Sequence, residues 1–408
     1  MTEDHGVATS TDGATLRIAP DELAGRRRRL FEELADQDVG AIVLFGPTAV
    51  LYLTGFLFIP TERPIGIVLT PDRTLALVPR LESEHVQAAS DIADVVVYDE
   101  YPGQEHPMAV LARALTGTVG LGSRTLGVDG DGYPSRYGYR GPRLSELLPN
   151  RQVPVGARIE EHRLVKSAQE LHLLRVSSQW ADRAHQHLQE LVRDGANEVE
   201  VAAEASLRGA RDMIGALGTA FDAKSGGNPV FTGFRSQIGP NSALPHAVNR
   251  NLPMHRGDVL VTGAVSSVWG YRCELERTMF VGEPSADQQR WFELMVGAQD
   301  LAFATIRAGS TCADVDRAVR RYYDEQDLQP NWRHHVGHGL GMEVHEGPFL
   351  DVGDDRPIEV GMVFSVEPGV YVPGLGGFRH SDTVAVTDDG IELMTRYPRD
   401  LGSLLCRA

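Results

Sequence analysis

The sequence is poor in cysteine and has no apolar segment at its start. Its three cysteines, Cys273, Cys312 and Cys406, are far apart and odd in number, so they offer neither a disulfide framework nor a zinc-binding spacing. The first residues, MTEDHGVATSTDG, are polar and acidic and lack the apolar core of a signal peptide. We therefore expect a protein of the reducing cytoplasm.

Two features of the sequence exclude membranes and nucleic acids as expected partners. The uncharged stretch 40–60 approaches the length of a membrane span, but Gly46-Pro47 and Thr54-Gly55 interrupt it, which favours buried strand, turn and helix elements. Basic residues are scarce, because 39 Lys and Arg stand against 56 Asp and Glu, for a formal net charge of −17. Binding to a phosphate backbone requires clustered positive charge, so nucleic acid is not expected to bind.

The length of 408 residues is sufficient for two domains. Residues 15–155 alternate short apolar runs, such as 41–45, with helical patterns, such as 107–115. Strands that alternate with helices predict an α/β layer structure for this N-terminal domain. The segment 150–155 is short and polar and contains a proline, which predicts a linker.

The second predicted domain, 160–408, has an α+β pattern. Two helices are predicted over 167–192 and about 198–214, followed by Gly- and Pro-rich strands. Two more helices, about 285–307 and 312–326, precede further strands. This order of two helices and then strands occurs twice, which indicates an internal pseudo-repeat.

Histidines and glycines alternate in the most informative stretch, 334–348, which reads HHVGHGLGMEVHEGP. Glycines let the backbone approach a site closely, and imidazoles act as ligands or proton carriers near neutral pH. A single histidine is usually a structural residue. Four histidines within twelve residues, with this glycine spacing, indicate a functional site.

This stretch resembles the HxxGHGxGxxxHExP signature of the creatinase/aminopeptidase (peptidase M24) family, whose fold is called pita-bread. The family includes methionine aminopeptidases, prolidases and creatinase. The resemblance implies a creatinase-like N-terminal domain and a pita-bread C-terminal domain with the pseudo-repeat. Further motifs match in the same order: Pro245-His246, Gly257-Asp258, Gly270-Tyr271, Arg277-Thr278, 361–369 and 377–383.

The chain departs from the family's metal-binding pattern. A family metallopeptidase holds two metal ions with two aspartates, one histidine and two glutamates, and the ions activate a bridging water. The five corresponding positions in this chain, in order, are Gly263, Glu274, His338, Glu367 and Ser381. Gly263 and Ser381 offer no carboxylate, so a two-metal site is not expected.

The segment LERT at 275–278 resembles that of creatinase, the metal-free hydrolase of this family. The resemblance implies that Glu276 and Glu367 hold a cationic substrate group and that His246 moves the protons. Two carboxylates bind a planar cation by charge-assisted hydrogen bonds, and a histidine can activate water and protonate a leaving nitrogen. The simpler interpretation is that Glu276 forms a structural salt bridge with Arg277 or another nearby arginine.

The main hypothesis is therefore metal-independent hydrolysis of a C–N bond in a small amidine, cyclic amidine or amide, with no cofactor. His338, His345 and Arg379 are expected to bind this small-molecule substrate. By the resemblance, Arg63 of the N-terminal domain reaches the site of the neighbouring subunit, so a homodimer is expected. A second arginine of creatinase corresponds to a position near Phe349, which argues against creatine as the substrate.

Two other hypotheses remain open. One is a metallopeptidase for Xaa-Pro dipeptides or peptide N-termini, with one Mn, Zn or Co ion held by Glu274, His338 and Glu367. The other is a non-catalytic binding protein on this fold. Retention of His246, His338, His345 and Glu367 together favours altered chemistry over its loss.

Overall fold

The computed structural model describes residues 16–89, 92–218 and 221–408. Two compact units are present, Ile18–Arg163 and Leu164–Ala408. The N-terminal residues used above to argue against a signal peptide lie outside the described part. Within it, no helix is both long and apolar enough to cross a membrane.

The first unit contains one six-stranded sheet, in the order β4-β3-β2-β1-β5-β6. Its central strand is buried at all six positions, as expected where helices cover both faces of a sheet. The strands are β1 (Val39–Leu44), β2 (Gly66–Leu69), β3 (Thr74–Pro79), β4 (Asp94–Tyr98), β5 (Thr125–Val128) and β6 (Gln152–Pro154). The helices are α1 (Pro20–Glu32), α2 (Pro47–Thr54), α3 (Ser83–Ala89), α4 (Pro107–Thr116), α5 (Leu144–Leu147) and α6 (Gly156–Leu164).

The prediction of a linker over 150–155 is wrong. This segment forms the edge strand β6, which pairs in parallel with β5 in the register Leu126↔Gln152 and Val128↔Pro154. The side chain of Val153 is buried against the sheet. A proline is compatible with an edge strand, because the missing N–H group is not needed for a further neighbour.

The second unit has four long helices and three groups of strands. The sheets have the orders β18-β10-β8-β7, with β9 attached to β8, and β12-β11-β13-β16-β17, and β14 pairs with β15. The helices are α7 (Ala168–Leu191), α8 (Glu198–Leu217), α9 (Ala286–Thr305) and α10 (Cys312–Glu325). The strands are β7 (Val230–Gly233), β8 (Val259–Val268), β9 (Tyr271–Arg272), β10 (Leu275–Val281), β11 (Gly337–Gly339), β12 (Glu346–Leu350), β13 (Val363–Val366), β14 (Gly369–Val372), β15 (Gly376–Arg379), β16 (Asp382–Thr387), β17 (Gly390–Leu393) and β18 (Leu405–Cys406).

The four helices of the second unit begin at polar residues that cap the first turn. Ser167, Ser285 and Thr311 accept hydrogen bonds in capping boxes, and Asn197 accepts from two backbone amides. Such caps satisfy amides that have no partner within the helix. They explain why the helices begin within a residue or two of the predicted positions. The predicted order of two helices followed by strands occurs twice, as expected.

A buried arginine connects the strands that carry the sequence motifs described above. The side chain of Arg277, on β10, is fully buried. A guanidinium has five N–H donors, and burial is tolerable only when they are satisfied. All five are used: Nε donates to Pro398 O (2.8 Å), Nη1 to Glu276 O (2.8 Å) and Ser381 O (3.0 Å), and Nη2 to Asp382 Oδ1 (2.7 Å) and Tyr397 O (2.7 Å).

We predict that the substitution Arg277→Met lowers the free energy of unfolding of the second unit by about 3–5 kcal/mol, because the buried Asp382 carboxylate loses its cation at 2.7 Å and keeps only Arg399, 3.7 Å away. The measurement is urea unfolding followed by tryptophan fluorescence. All four tryptophans, Trp180, Trp269, Trp291 and Trp332, lie in the second unit.

The matched control is Arg175→Met. Arg175 pairs with Glu392 at 2.7 Å, but the side chain is 41% exposed, so its loss is expected to cost less than about 1 kcal/mol. Equal effects of the two substitutions would contradict a special role of Arg277.

Candidate functional site

Three carboxylates converge next to β10. Glu274 precedes this strand and Glu276 lies within it, so the alternation of side chains in an extended chain directs both to the same face. Glu367 follows β13. One carboxylate oxygen of each lies within 4.8 Å of the others. The structure therefore brings Glu276 and Glu367 together.

The sheet register explains the position of the Glu276 carboxylate. Glu276 on β10 is the direct partner of Gly263 on β8, and directly paired residues share a face of the sheet. A Cβ atom built on Gly263 would lie 3.7 Å from Glu276 Oε1. Glu276 therefore places a carboxylate beside the position where metal-dependent family members carry their first aspartate.

Two arginines bind the Glu276 carboxylate. Arg379 donates from Nη2 to Oε1 at 2.8 Å and from Nε to Oε2, and Arg235 donates from Nη2 to Oε1 at 2.8 Å. The salt bridge of Glu276 is therefore formed with Arg379 and Arg235. Arg277, the other partner considered from the sequence, donates instead to the backbone carbonyl of Glu276. A substrate cation would have to displace one of these guanidinium groups to reach Glu276.

Two serines hold the Glu274 carboxylate. Its Oε1 accepts hydrogen bonds from Ser365 Oγ at 2.7 Å and Ser381 Oγ at 2.8 Å. Burial, together with the negative charges of Glu367 and Glu276, raises the pKa of Glu274 to about 7. Glu274 can therefore gain or lose a proton near neutral pH.

His338 and Glu367 form an ion pair, in which each residue favours the charged form of the other. His338 Nε2 lies 3.3 Å from Glu367 Oε1. Burial lowers the pKa of His338, but the nearby Glu367 and Glu274 carboxylates outweigh it and raise this pKa to about 9. Burial acts to raise the pKa of Glu367, but His338 and Arg379 hold it well below its usual range. Glu367 is therefore ionised at neutral pH.

The other two predicted histidines lie at the exposed side of the cluster. The ring of His345 stacks on that of His338, with centroids 3.9 Å apart. Burial and the positive charge of His338 lower the pKa of His345, and His246 lowers it further. His246 is thus close enough to act on His345 by its charge, but it forms no hydrogen bond with Glu276 or Glu367 in the described part of the chain.

The predicted N-terminal arginine is engaged within its own unit. Arg63 Nε donates to Glu100 Oε1 at 2.7 Å, and Nη1 donates to Glu62. The hydrogen bond with Glu100 raises the pKa of Arg63. Its predicted role in a partner's site stays a prediction.

Several donor atoms at this site lie close enough together to hold a metal ion. They form two overlapping triplets, Glu274 with His338 and His345, and Glu274 with Glu276 and Glu367. His338 Nδ1 lies 3.1 Å from Gly339 O, a contact that directs Nε2 towards the carboxylates, as is common for imidazole ligands. Gly263 offers no donor atom, and the Ser381 hydroxyl already donates to Glu274.

Three functional neighbours were not found from the sequence. Ser365 stands two residues before Glu367 in a strand, so the alternation of side chains could have indicated it. Tyr371 Oη accepts from Arg379 Nη1 at 3.0 Å, and Arg235 binds Glu276. No sequence pattern reveals these last two, because the contacts depend on how the strands are arranged.

The chain is similar to known proteins over almost its whole length. The sequence profile described as metallopeptidase family M24 matches residues 172–388, and that of the creatinase/prolidase N-terminal domain matches 26–165. An Xaa-Pro dipeptidase of Pyrococcus horikoshii is 28% identical over 382 residues, or 92% of this chain and 97% of the relative. A probable dipeptidase of Mycobacterium tuberculosis is 30% identical over 370 residues, or 90% and 92% of the two chains.

A solved structure confirms the predicted fold. The Xaa-Pro dipeptidase from Bacillus anthracis superposes with a TM-score of 0.77 at 26% identity, covering 94% of this chain and 99% of that one. The α/β N-terminal domain and the pita-bread C-terminal domain are thus both present. The names of these relatives favour the peptidase hypothesis over a creatinase-like amidine hydrolase.

We predict that the protein binds no more than one equivalent of Mn²⁺, measured by isothermal titration calorimetry. The affinity should rise with pH, because Glu274 and His338 must release their protons to become ligands. Between their pKa values of about 7 and 9, one proton is displaced, so the apparent dissociation constant should fall about tenfold per pH unit. Below pH 7 two protons compete, and the dependence should steepen.

The variants for this titration are His338→Ala, which should abolish binding, and His255→Ala, which should not. His255 is 67% exposed and pairs with the surface residue Asp194. Binding of two equivalents to the unmodified protein would contradict the assignment of donors.

Proposed function

Because the chain belongs to metallopeptidase family M24 and is a hydrolase of that family, we propose that it cleaves the amide C–N bond of a small, dipeptide-like substrate. The observation that carries the proposal is the convergence of Glu274, Glu276 and Glu367 with His338 and His345 in one cluster. The printed activities of the relatives, Xaa-Pro dipeptidase and probable dipeptidase, support this substrate class.

The state of Glu276 supports an amide substrate over an amidine. Arg379 and Arg235 already bind both oxygens of this carboxylate. A guanidinium or amidinium substrate would meet two positive charges where the creatinase-like hypothesis requires a free carboxylate. A neutral amide does not need Glu276 as a direct partner.

The residues of the chain can carry the proton transfers. Without a bound ion, Glu274, with a pKa of about 7, can take a proton from the attacking water and return it to the leaving nitrogen. Ser365 and Ser381 orient its Oε1. His345 has a lowered pKa and can bind the substrate as a neutral imidazole. When a divalent ion is bound, Glu274 would instead be one of its ligands, with His338 and Glu367, and the ion would polarise the carbonyl and activate water.

Metal-independent hydrolysis is the second candidate. It is favoured by the replacement of two carboxylate positions by Gly263 and Ser381. In this case Glu367 and His246 would act on a small amidine, cyclic amidine or amide without any ion. The two candidates differ in metal content and in the response to chelation.

We predict that protein purified without chelators contains up to one equivalent of metal by elemental mass spectrometry and cleaves Ala-Pro in a chelator-sensitive manner. Glu274→Gln should lower kcat about 100-fold or more, because a carboxylate that can exchange a proton or bind the ion is lost. Glu293→Gln, at an exposed position of α9, is the control and should retain activity. Protein without metal that leaves Ala-Pro intact would favour the second candidate and direct a screen towards amidines.

We also propose that the protein is a homodimer in which Arg63 of one subunit binds substrate in the site of the other. We expect the variants Arg63→Met and His338→Ala to be inactive alone. When they are co-expressed, about half of the dimers are mixed, and each mixed dimer contains one intact site of two. About a quarter of the original activity should therefore return.

Light scattering and activity of each variant alone are the controls for this complementation. A monomeric mass, or no recovery in a verified mixed dimer, would contradict the shared site.

A further inference from the structure

One arginine beside the carboxylate cluster has hydrogen-bonding capacity that the protein leaves unused. Arg235 follows β7, and its side chain is 46% exposed. Its Nη2 donates to Glu276 Oε1 at 2.8 Å, whereas Nε and Nη1 form no hydrogen bond within the described part of the chain. Arg379 already binds both oxygens of Glu276, so this carboxylate does not need the remaining N–H groups of Arg235.

The backbone at Arg235 is held in an unfavourable conformation. Arg235 and Ser236 have φ angles of 49° and 54°, in the left-handed region that costs a residue with a side chain about 1 kcal/mol or more. The buried Glu198 holds this turn, because its carboxylate accepts from Ser236 N at 2.7 Å, Ser236 Oγ at 2.5 Å and Leu252 N at 2.8 Å. Strained turns that are held in this way occur preferentially at functional sites.

An apolar surface lies on the face of the sheet that carries Glu276, to which Arg235 donates. Gly233, Gly263 and Glu276 are direct partners across β7, β8 and β10, so the two glycines leave a shallow trough that leads to the Glu276 carboxylate. The ring of Phe231 lies on the same face, 3.1 Å from a Cβ built on Gly233, and Phe231 is 61% exposed. A cation bound to Glu276 and an exposed aromatic ring on the same face suit a ligand with a carboxylate and an apolar group.

We propose that Arg235 binds the free carboxylate of the substrate through its unused N–H groups, with the apolar part of the substrate against Phe231. A guanidinium and a carboxylate form paired charge-assisted hydrogen bonds, so Arg235 selects substrates that end in a carboxylate beside the cleaved bond. This inference deepens the proposed function and rests on it for the position of the cleaved bond.

The first test is a binding measurement that needs no turnover. The probes are cyclopentanecarboxylate and cyclopentanecarboxamide, which have the same shape and differ in charge, and calorimetry gives their affinities. Arg235→Met should weaken binding of the carboxylate about 10- to 100-fold and leave the amide unchanged. Arg235→Lys should give an intermediate loss, since an ammonium group lacks the paired donors.

The control is Arg208→Met on α8. Arg208 is 41% exposed and pairs with Glu204 at 2.8 Å, one helical turn away, so its loss should leave both affinities unchanged. Tryptophan fluorescence verifies that each variant is folded. Unchanged carboxylate affinity in folded Arg235→Met and Arg235→Lys proteins would overturn the proposal.

The second test separates this proposal from the proposed function. Arg235→Met should reduce kcat/KM for Ala-Pro relative to the amide Ala-prolinamide, mainly through KM. An unchanged ratio in a protein that cleaves Ala-Pro would overturn the role of Arg235 alone. If the unmodified protein cleaves neither compound but prefers the carboxylate probe through Arg235, the carboxylate site stands and the dipeptide-like substrate is wrong.

Discussion

The buried guanidinium of Arg277 is the interaction on which the candidate site depends. It binds the carbonyl oxygens of Glu276 and Ser381 and the carboxylate of Asp382, which connects β10 with the start of β16. The backbones of Glu276 and Ser381 also exchange two hydrogen bonds, at 2.9 and 3.0 Å. Because the position of each carboxylate follows from these backbone contacts, a change at Arg277 would affect chemistry that it does not touch.

The electrostatic balance of the cluster assigns different states to neighbouring carboxylates. Glu276 and Glu367 lie beside positive groups, whereas the direct partners of Glu274 are two neutral serine hydroxyls. Burial and like charge therefore raise the pKa of Glu274 to about 7, while His338 and Arg379 hold that of Glu367 low. Carboxyl groups whose pKa values are separated in this way can perform different steps of one reaction.

The sequence is sufficient for the fold and for part of the site. Helical periodicity and caps such as Ser167 predict the long helices, and the HxxGHGxGxxxHExP motif identifies His338 and His345. The partners of Glu276 and the strand at 150–155 could not be predicted, because both depend on pairing between distant segments. Arg235 was missed for a related reason, since its left-handed turn is held by Glu198 and not encoded by a glycine.

The pair Gly263 and Glu276 shows how a carboxylate on one strand can occupy the place of a carboxylate on the neighbouring strand. Directly paired positions lie about 5 Å apart on one face, so a long side chain from β10 reaches the place that is left open on β8. The transferred carboxylate has different neighbours, because Arg379 and Arg235 both bind it. The site thus keeps its negative charge and gains an exposed cation. A change of substrate preference can therefore arise from this exchange.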